Sequence, residues 1–222
     1  MSTQLCQPSL AFPQSLSEKY VPNAIAEFVG LEKPRKILSK FVANPYPSAW
    51  LFVGNSGIGK TTMALAMCKA VAGELHHIPS QSCDVATVKG ITDTCHYYPR
   101  MFEDGCPARF HFVIADEADQ MSNAAQLMFL SKLDATAFPP NTIFVFTCNS
   151  VDRLEDRFLS RCRRVDFSSY GMNEGISELL QRVWDRETDN PVDRPNFARI
   201  AKESNNNVRD ALMTLEVAIM AA

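Results

Sequence analysis

The sequence predicts an α/β protein: a parallel five-stranded sheet with helices on both faces, then a small all-helical unit. Three observations carry that expectation. Apolar strand-like runs alternate with helical patterns as far as Phe167. From Ser168 onward only helical periodicity remains. After the first clear strand run comes Gly54-Asn55-Ser56-Gly57-Ile58-Gly59-Lys60-Thr61-Thr62, a glycine, four residues, then Gly-Lys-Thr.

The elements follow in order. Residues 1–17 are polar, carry Pro8 and Pro13, and read as a flexible arm. Pro34 suits the first turn of a helix whose apolar face is Ile37, Leu38, Phe41 and Val42. Asn44-Pro45-Tyr46-Pro47 stops it. Trp50-Leu51-Phe52-Val53 is a buried strand, and residues 63–71 are a helix that Gly73 can cap. Residues 75–78 form a short strand. Residues 84–98 read as a helix interrupted near Gly90 and ended by Pro99. Tyr97, Tyr98, Met101 and Phe102 form an aromatic cluster expected to pack in the core.

Phe110-His111-Phe112-Val113-Ile114-Ala115 is a strand running into Asp116-Glu117-Ala118-Asp119. Asn123 with Gln126 would open the next helix as a capping pair, with Leu127, Leu130 and Leu133 on one side. Ile143-Phe144-Val145-Phe146 is a strand ending in Thr147-Cys148-Asn149, and Val165-Asp166-Phe167 is the last. Helical patterns then cover residues 176–186 and 196–203, with a break at 190–195. Val208, Ala211, Leu212, Leu215 and Ile219 mark a third helix, and the unit joins the sheet near Tyr170-Gly171. There is no internal repeat.

Composition bounds the function. At 222 residues and 46% hydrophobic, the chain can build one ample core plus a small appended domain. No apolar run could span a bilayer, and Met1-Ser2-Thr3-Gln4 lacks the basic start of a secretory leader, so an intracellular protein without a membrane partner is expected, in cytoplasm, nucleoid or nucleus. A net charge of -3 offers no general attraction to nucleic acid, so DNA binding would need a local basic surface or an assembly. The seven cysteines form no Cys-x-x-Cys pair. His76, His77, Cys83, Cys95 and Cys106 could gather around a metal, but the spacing favours reduced, partly buried thiols.

The glycine loop points to a triphosphate. Backbone N–H groups can ring phosphate oxygens only where the chain approaches closely, which Gly54, Gly57 and Gly59 permit. The following helix N-terminus adds free N–H groups and a positive dipole end. Lys60 would reach the β- and γ-phosphates, and the Thr61 hydroxyl would ligate Mg²⁺. Asp116, at the end of an apolar strand, would hold Mg²⁺, mainly through water, and Glu117 could orient and deprotonate the attacking water. Asn149 would touch that water or the γ-phosphate. Arg161 and Arg209 are candidate cations for the transition state. In parallel sheets ligands sit beyond the carboxyl ends of the strands, where all these residues fall except Arg161 and Arg209.

Taken together, these residues resemble the AAA+ ATPases of the clamp-loader type, the group containing the small subunits of replication factor C and the ATPase subunit of the phage clamp loader. The resemblance covers about residues 18–220. Glu18-Lys19-Tyr20-Val21-Pro22 with Phe28-Val29-Gly30 is similar to the adenine-pocket motif, Asp116-Glu117-Ala118-Asp119 to Walker B and Thr147-Cys148-Asn149 to sensor 1. Ser160-Arg161-Cys162 is similar to the motif whose arginine serves the nucleotide of a neighbouring subunit. Val208-Arg209-Asp210-Ala211-Leu212 is similar to the sensor 2 helix.

The resemblance implies an ATPase domain over residues 18–168 and a lid over 169–222. It implies ATP and Mg²⁺ as cofactors, with Tyr20, Val21, Val29, Gly54, Asn55, Ser56, Gly57, Ile58, Gly59, Lys60, Thr61, Thr62 and Arg209 around the nucleotide. It also implies a homo- or hetero-oligomer of such subunits that loads a sliding clamp on primer–template DNA, with clamp and DNA contacts partly in the helix between the two Walker motifs. Val21 stands where the family usually has Arg, and Asn55-Ser56 where it has Pro-Pro. Clamp-loader subunits carry a further helical collar that holds the ring together, which these residues do not include; either the sequence is part of a longer chain or the protein assembles differently. Two other readings are a stand-alone AAA+ ATPase remodelling another protein or nucleoprotein, and a structural subunit that binds nucleotide without hydrolysing it. The Asp-Glu-Ala-Asp string also occurs in RNA helicases, whose two cores would not fit in 222 residues.

Overall fold

The computed structural model describes residues 14–79, 82–100, 107–188 and 194–221. Its sheet comprises β1 (Ser48–Gly54), β2 (Gly73–Ile78), β3 (Phe110–Ala115), β4 (Thr142–Cys148) and β5 (Arg163–Phe167). The order is β2-β3-β4-β1-β5, and every pairing is parallel. The α-helices among the described residues are α1 (Leu16–Lys19), α2 (Glu32–Ala43), α3 (Lys60–Ala70), α4 (Val85–Thr94), α5 (Asn123–Leu133), α6 (Asp156–Leu159), α7 (Asn173–Glu187), α8 (Phe197–Glu203) and α9 (Val208–Ala221).

Helices cover both faces, so β3 and β4 are buried at every position and β1 at all but its last. That is why they read as unbroken apolar runs rather than alternating ones. Alternate side chains still go to different cores. Trp50, Phe52, Phe112, Ile114, Ile143 and Val145 face α2 and α3, in a cluster that continues into Ile176, Leu180, Trp184, Leu212 and Leu215 of the helical unit. Leu51, Val53, Val113, Phe144 and Phe146 face α4 to α6. There Phe146 receives Phe129 and Phe158 edge-on, with ring centroids 4.9 and 4.8 Å away.

Several local expectations are corrected. The arm is not loose at its end: Leu16 is buried and its N–H bonds Glu216 of α9, while residues 1–13 lie outside the described residues. Gly73 does not cap α3. It opens β2, where an added Cβ would meet Phe112 Cβ at 2.8 Å, and Ala72 supplies the left-handed turn with φ 51°. α4 runs unbroken through Gly90 and ends at Thr94, with Cys95 as its C-cap, rather than at Tyr98. Tyr97 and Tyr98 are 76% and 90% exposed, not core; Met101 and Phe102 lie outside the described residues.

The cap of α5 is Ser122, whose Oγ accepts from Ala125 N. Gln126 instead donates to the Arg153 carbonyl and accepts from Glu155 N. Leu130 and Leu133 are buried, but Leu127 is exposed because Phe129 takes the inward position.

Candidate functional site

The glycine loop joins β1, the strand next to β4, to the start of α3. Gly57 and Gly59 have φ of +72° and +97°, the left-handed region that glycine enters without strain. Gly54 is needed for a different reason. A Cβ there would stand 2.3 Å from the Phe167 carbonyl of β5, so only glycine lets the two backbones approach.

Lys60 is nearly buried, and its Nζ donates to the carbonyls of Gly54 (2.7 Å) and Asn55 (2.8 Å) and to Asn149 Oδ1 (3.0 Å). Burial pulls its pKa below the usual lysine value; Cys148, Asp119, Asp116 and Glu117 nearby oppose that. Parallel register brings the ends of β1, β3 and β4 side by side, and Asp116 follows the last residue of β3. Its Oδ1 accepts from Thr61 Oγ1 (2.7 Å) and Thr147 Oγ1 (2.8 Å), and its Oδ2 pairs with His77 Nε2 at 2.6 Å. Glu117 sits in a left-handed turn (φ 50°) with its N–H bonded to Thr147 Oγ1.

Two cavities meet at this point. A crevice of about 100 Å³ is lined by Lys60, Thr61, Glu117, Thr147, Asn149 and Arg209, among others. A cleft of about 710 Å³ lies on the other side of the loop, within the size range of small-molecule sites. Its walls include Tyr20, Val21, Val29, Ile58, Thr62 and Leu212. Gly57, Gly59, Thr62 and Arg209 line both. Ser56 belongs to the crevice, and Asn55 and Ser56 both face a pocket shared with Asn205, Asn206 and Asn207.

The structure thus gathers the glycine loop, Asp116, Glu117, Asn149, Arg209 and the Tyr20–Val29 segment. Arg161 stands apart. It lines neither cavity, and its guanidinium is held by Asp134 Oδ1 (3.0 and 2.7 Å) and the Arg157 carbonyl (2.9 Å). Sequence reasoning missed Thr147 and His77 against Asp116, and Leu179, Arg182, Val183 and Arg186 of α7 along the cleft. Helical spacing could have placed the α7 residues on one stripe. It could not have said that the stripe faces the loop. Tyr20 is fixed there by its hydroxyl bond to Glu187, beside the 2.7 Å Lys19–Glu187 ion pair.

The donor set fits a metal-bound nucleotide: a hard carboxylate and a hydroxyl already in contact, next to a lysine at the N-terminus of a helix. Thr61 and Asp116 would hold Mg²⁺, which would neutralise phosphate charge. No helix among the described residues is long and apolar enough to cross a membrane.

The chain is similar to known proteins. The replication factor C small subunit of Natronomonas pharaonis is 28% identical over 90% of this chain and 61% of its own length. Small subunit 1 of Pyrobaculum arsenaticum is 30% identical over 90% of this chain and 60% of its own. The chain therefore spans about 60% of the length of these relatives. Two structures of RuvB variants from Thermotoga maritima share the fold, with TM-scores of 0.71 and 0.70 at 18% identity. They cover 88% and 91% of this chain, and 63% and 64% of theirs. The family described as ATPase family associated with various cellular activities (AAA) matches residues 50–170, more than half of the sequence. With the glycine loop and its carboxylate partners inside that span, the chain belongs to the AAA family of ATPases.

Proposed function

We propose that this chain binds ATP with Mg²⁺ and hydrolyses it to ADP and phosphate as one subunit of a clamp-loader-like assembly. The observation that carries the reading is the crevice in which Lys60, Thr61, Glu117, Asn149 and Arg209 come together around the glycine loop. The base and ribose would lie in the larger cleft against Tyr20, Val21, Val29 and Leu212, and the phosphates along residues 54–62. Glu117 takes a proton from the attacking water, Asn149 orients that water, and Lys60 and Arg209 carry the charge that builds on the γ-phosphate. Arg209 belongs to the lid, so ATP would draw the helical unit onto the loop.

Arg161, held at the surface by Asp134, would serve the nucleotide of a neighbouring subunit. The likeness to replication factor C small subunits supports a sliding clamp and primer–template DNA as the targets, and an intracellular setting. The test is a Glu117→Gln variant assayed for ATP binding and turnover, with and without DNA and clamp. Turnover should fall at least about a hundredfold with binding retained. Full turnover in that variant removes Glu117 from its role; hydrolysis indifferent to DNA and clamp returns the chain to the stand-alone reading.

A further inference from the structure

Three metal-binding side chains, His76, Cys95 and His111, meet at the edge of the sheet, away from the crevice, and the Glu74 carboxylate lies against His111. Glu74 and His76 share one face of the edge strand β2, because they are two residues apart. His77 points to the other face, toward Asp116. His111 comes from β3, where it is paired with Glu74. Cys95 comes from the end of α4. His111 and Cys95 are 1% and 0% exposed.

The ligand atoms of His76, Cys95 and His111 all lie within 4.8 Å of one another. His76 Nε2 and His111 Nδ1 are 3.0 Å apart, and Glu74 Oε2 is 3.3 Å from the same Nδ1. In a tetrahedral zinc site, bond lengths near 2.0–2.3 Å put donor atoms about 3.3–3.6 Å apart. The carboxylate already stands at that distance from His111, and the two nitrogens would open by a few tenths of an ångström around an ion.

Hydrogen bonding sharpens the case. His111 Nε2 lies 2.9 Å from the Tyr97 carbonyl, which can only accept, so Nε2 carries a proton. In the neutral ring Nδ1 then offers a lone pair, and that lone pair faces a carboxylate oxygen. This is the arrangement in which a backbone carbonyl orients a metal-binding histidine. Desolvation lowers the His76 pKa, which favours its neutral, ligating form. Burial pushes the Cys95 thiol up to about 12, so a metal would have to displace the thiol proton to bind there.

We propose that Glu74, His76, Cys95 and His111 form a structural Zn²⁺ site. The mixed nitrogen, sulfur and oxygen set suits zinc. The ion would clip the end of α4 to the sheet edge, reinforcing the Tyr97 carbonyl bond and the bond from Arg100 N to Glu74 Oε2 (2.8 Å). Exposed Tyr97 and Tyr98 would thereby be held in place between the two Walker motifs. Of the residues expected to gather from the sequence, His76 and Cys95 are in this cluster, His77 and Cys83 are not, and Cys106 lies outside the described residues.

The test uses the whole chain, stripped by chelator and titrated with Zn²⁺ and, as a spectroscopic probe, Co²⁺, with Mg²⁺ in excess to fill the nucleotide site. The expected result is one equivalent bound per chain and a thiolate-to-cobalt charge-transfer band. That band should vanish in Cys95→Ser and persist in Asp116→Asn. Chelation should lower Tm and Zn²⁺ restore it. Should Cys95→Ser fail to fold, His76→Gln on the edge strand serves instead, with loss of stoichiometric uptake expected. No uptake by the stripped protein overturns the proposal and leaves a proton between the two rings. Uptake unchanged in Cys95→Ser or His76→Gln overturns it as well.

Discussion

Thr61 Oγ1 donates a 2.7 Å hydrogen bond to Asp116 Oδ1, joining the start of α3 to the end of β3 across 55 residues of sequence. The contact exists because β1 and β3 flank β4 in parallel, so the residues that follow them emerge on one edge of the sheet. It puts a hydroxyl and a carboxylate together, the pair that would hold a magnesium ion.

Removing the hydroxyl should uncouple nucleotide affinity from Mg²⁺. For Thr61→Val we expect ATP affinity in the presence of Mg²⁺ to drop about tenfold to a hundredfold, in line with about 1.5–3 kcal/mol for an interaction with a charged group. Affinity in chelator should barely change. Titration of a fluorescent ATP analogue under the two conditions checks it.

Arg161 predicts a division between binding and turnover. Its guanidinium contacts Asp134 and the Arg157 carbonyl and lines neither cavity of its own chain. Arg161→Ala should leave the nucleotide affinity of one subunit within about twofold, because an exposed ion pair is worth little. Turnover of the assembly should collapse by about a thousandfold or more. Mixing Arg161→Ala with Glu117→Gln subunits should rescue some turnover; none at any ratio would count against an arginine acting across subunits.

Two glycines should respond oppositely to alanine. At Gly54 the new Cβ meets the backbone carbonyl of Phe167 at 2.3 Å, which cannot swing away as a side chain can, so Gly54→Ala should cost about 1–3 kcal/mol and lower the denaturant midpoint. At Gly90 it meets nothing within 4 Å in the middle of α4, so Gly90→Ala should gain about 0.5–1 kcal/mol.

The Glu187 contacts predict a pH dependence at both limits. Hydrogen bonds from Lys19 and Tyr20 hold the Glu187 carboxyl below its ordinary 4.5, so its contribution is complete above 4.5 and is lost as pH falls through the folded value. Burial, then Glu187, raises the Tyr20 phenol above 10.0, so its contribution is complete below 10.0 and is lost as pH rises through the folded value. Glu187→Gln should flatten the acid limb of the Tm profile and soften the alkaline one. Parallel profiles for variant and parent would refute this.

Much of the fold was legible in the residues. Strands buried on both faces announce themselves as runs such as residues 110–115 and 143–146, and the Gly-Lys-Thr spacing marks the loop. Where the reading failed, a local signal competed with a tertiary one. Gly73 looked like a cap, yet it is needed for close packing on Phe112. Tyr97 and Tyr98 looked like core, yet α4 stops short of them and leaves them in solvent. Gln126 looked like a cap partner, yet it is buried against the backbone around Arg153.

Sequence alone determined which groups could handle a triphosphate, because a glycine loop, a lysine and paired carboxylates carry their chemistry in their types and spacing. Only tertiary structure decided that Thr147 and His77 share Asp116, that α7 walls the cleft, that Arg161 turns away, and that His76, Cys95 and His111 converge with Glu74 against His111. Those are facts of strand order and register. A parallel sheet brings together residues tens of positions apart, and no local pattern encodes which strand lies next to which.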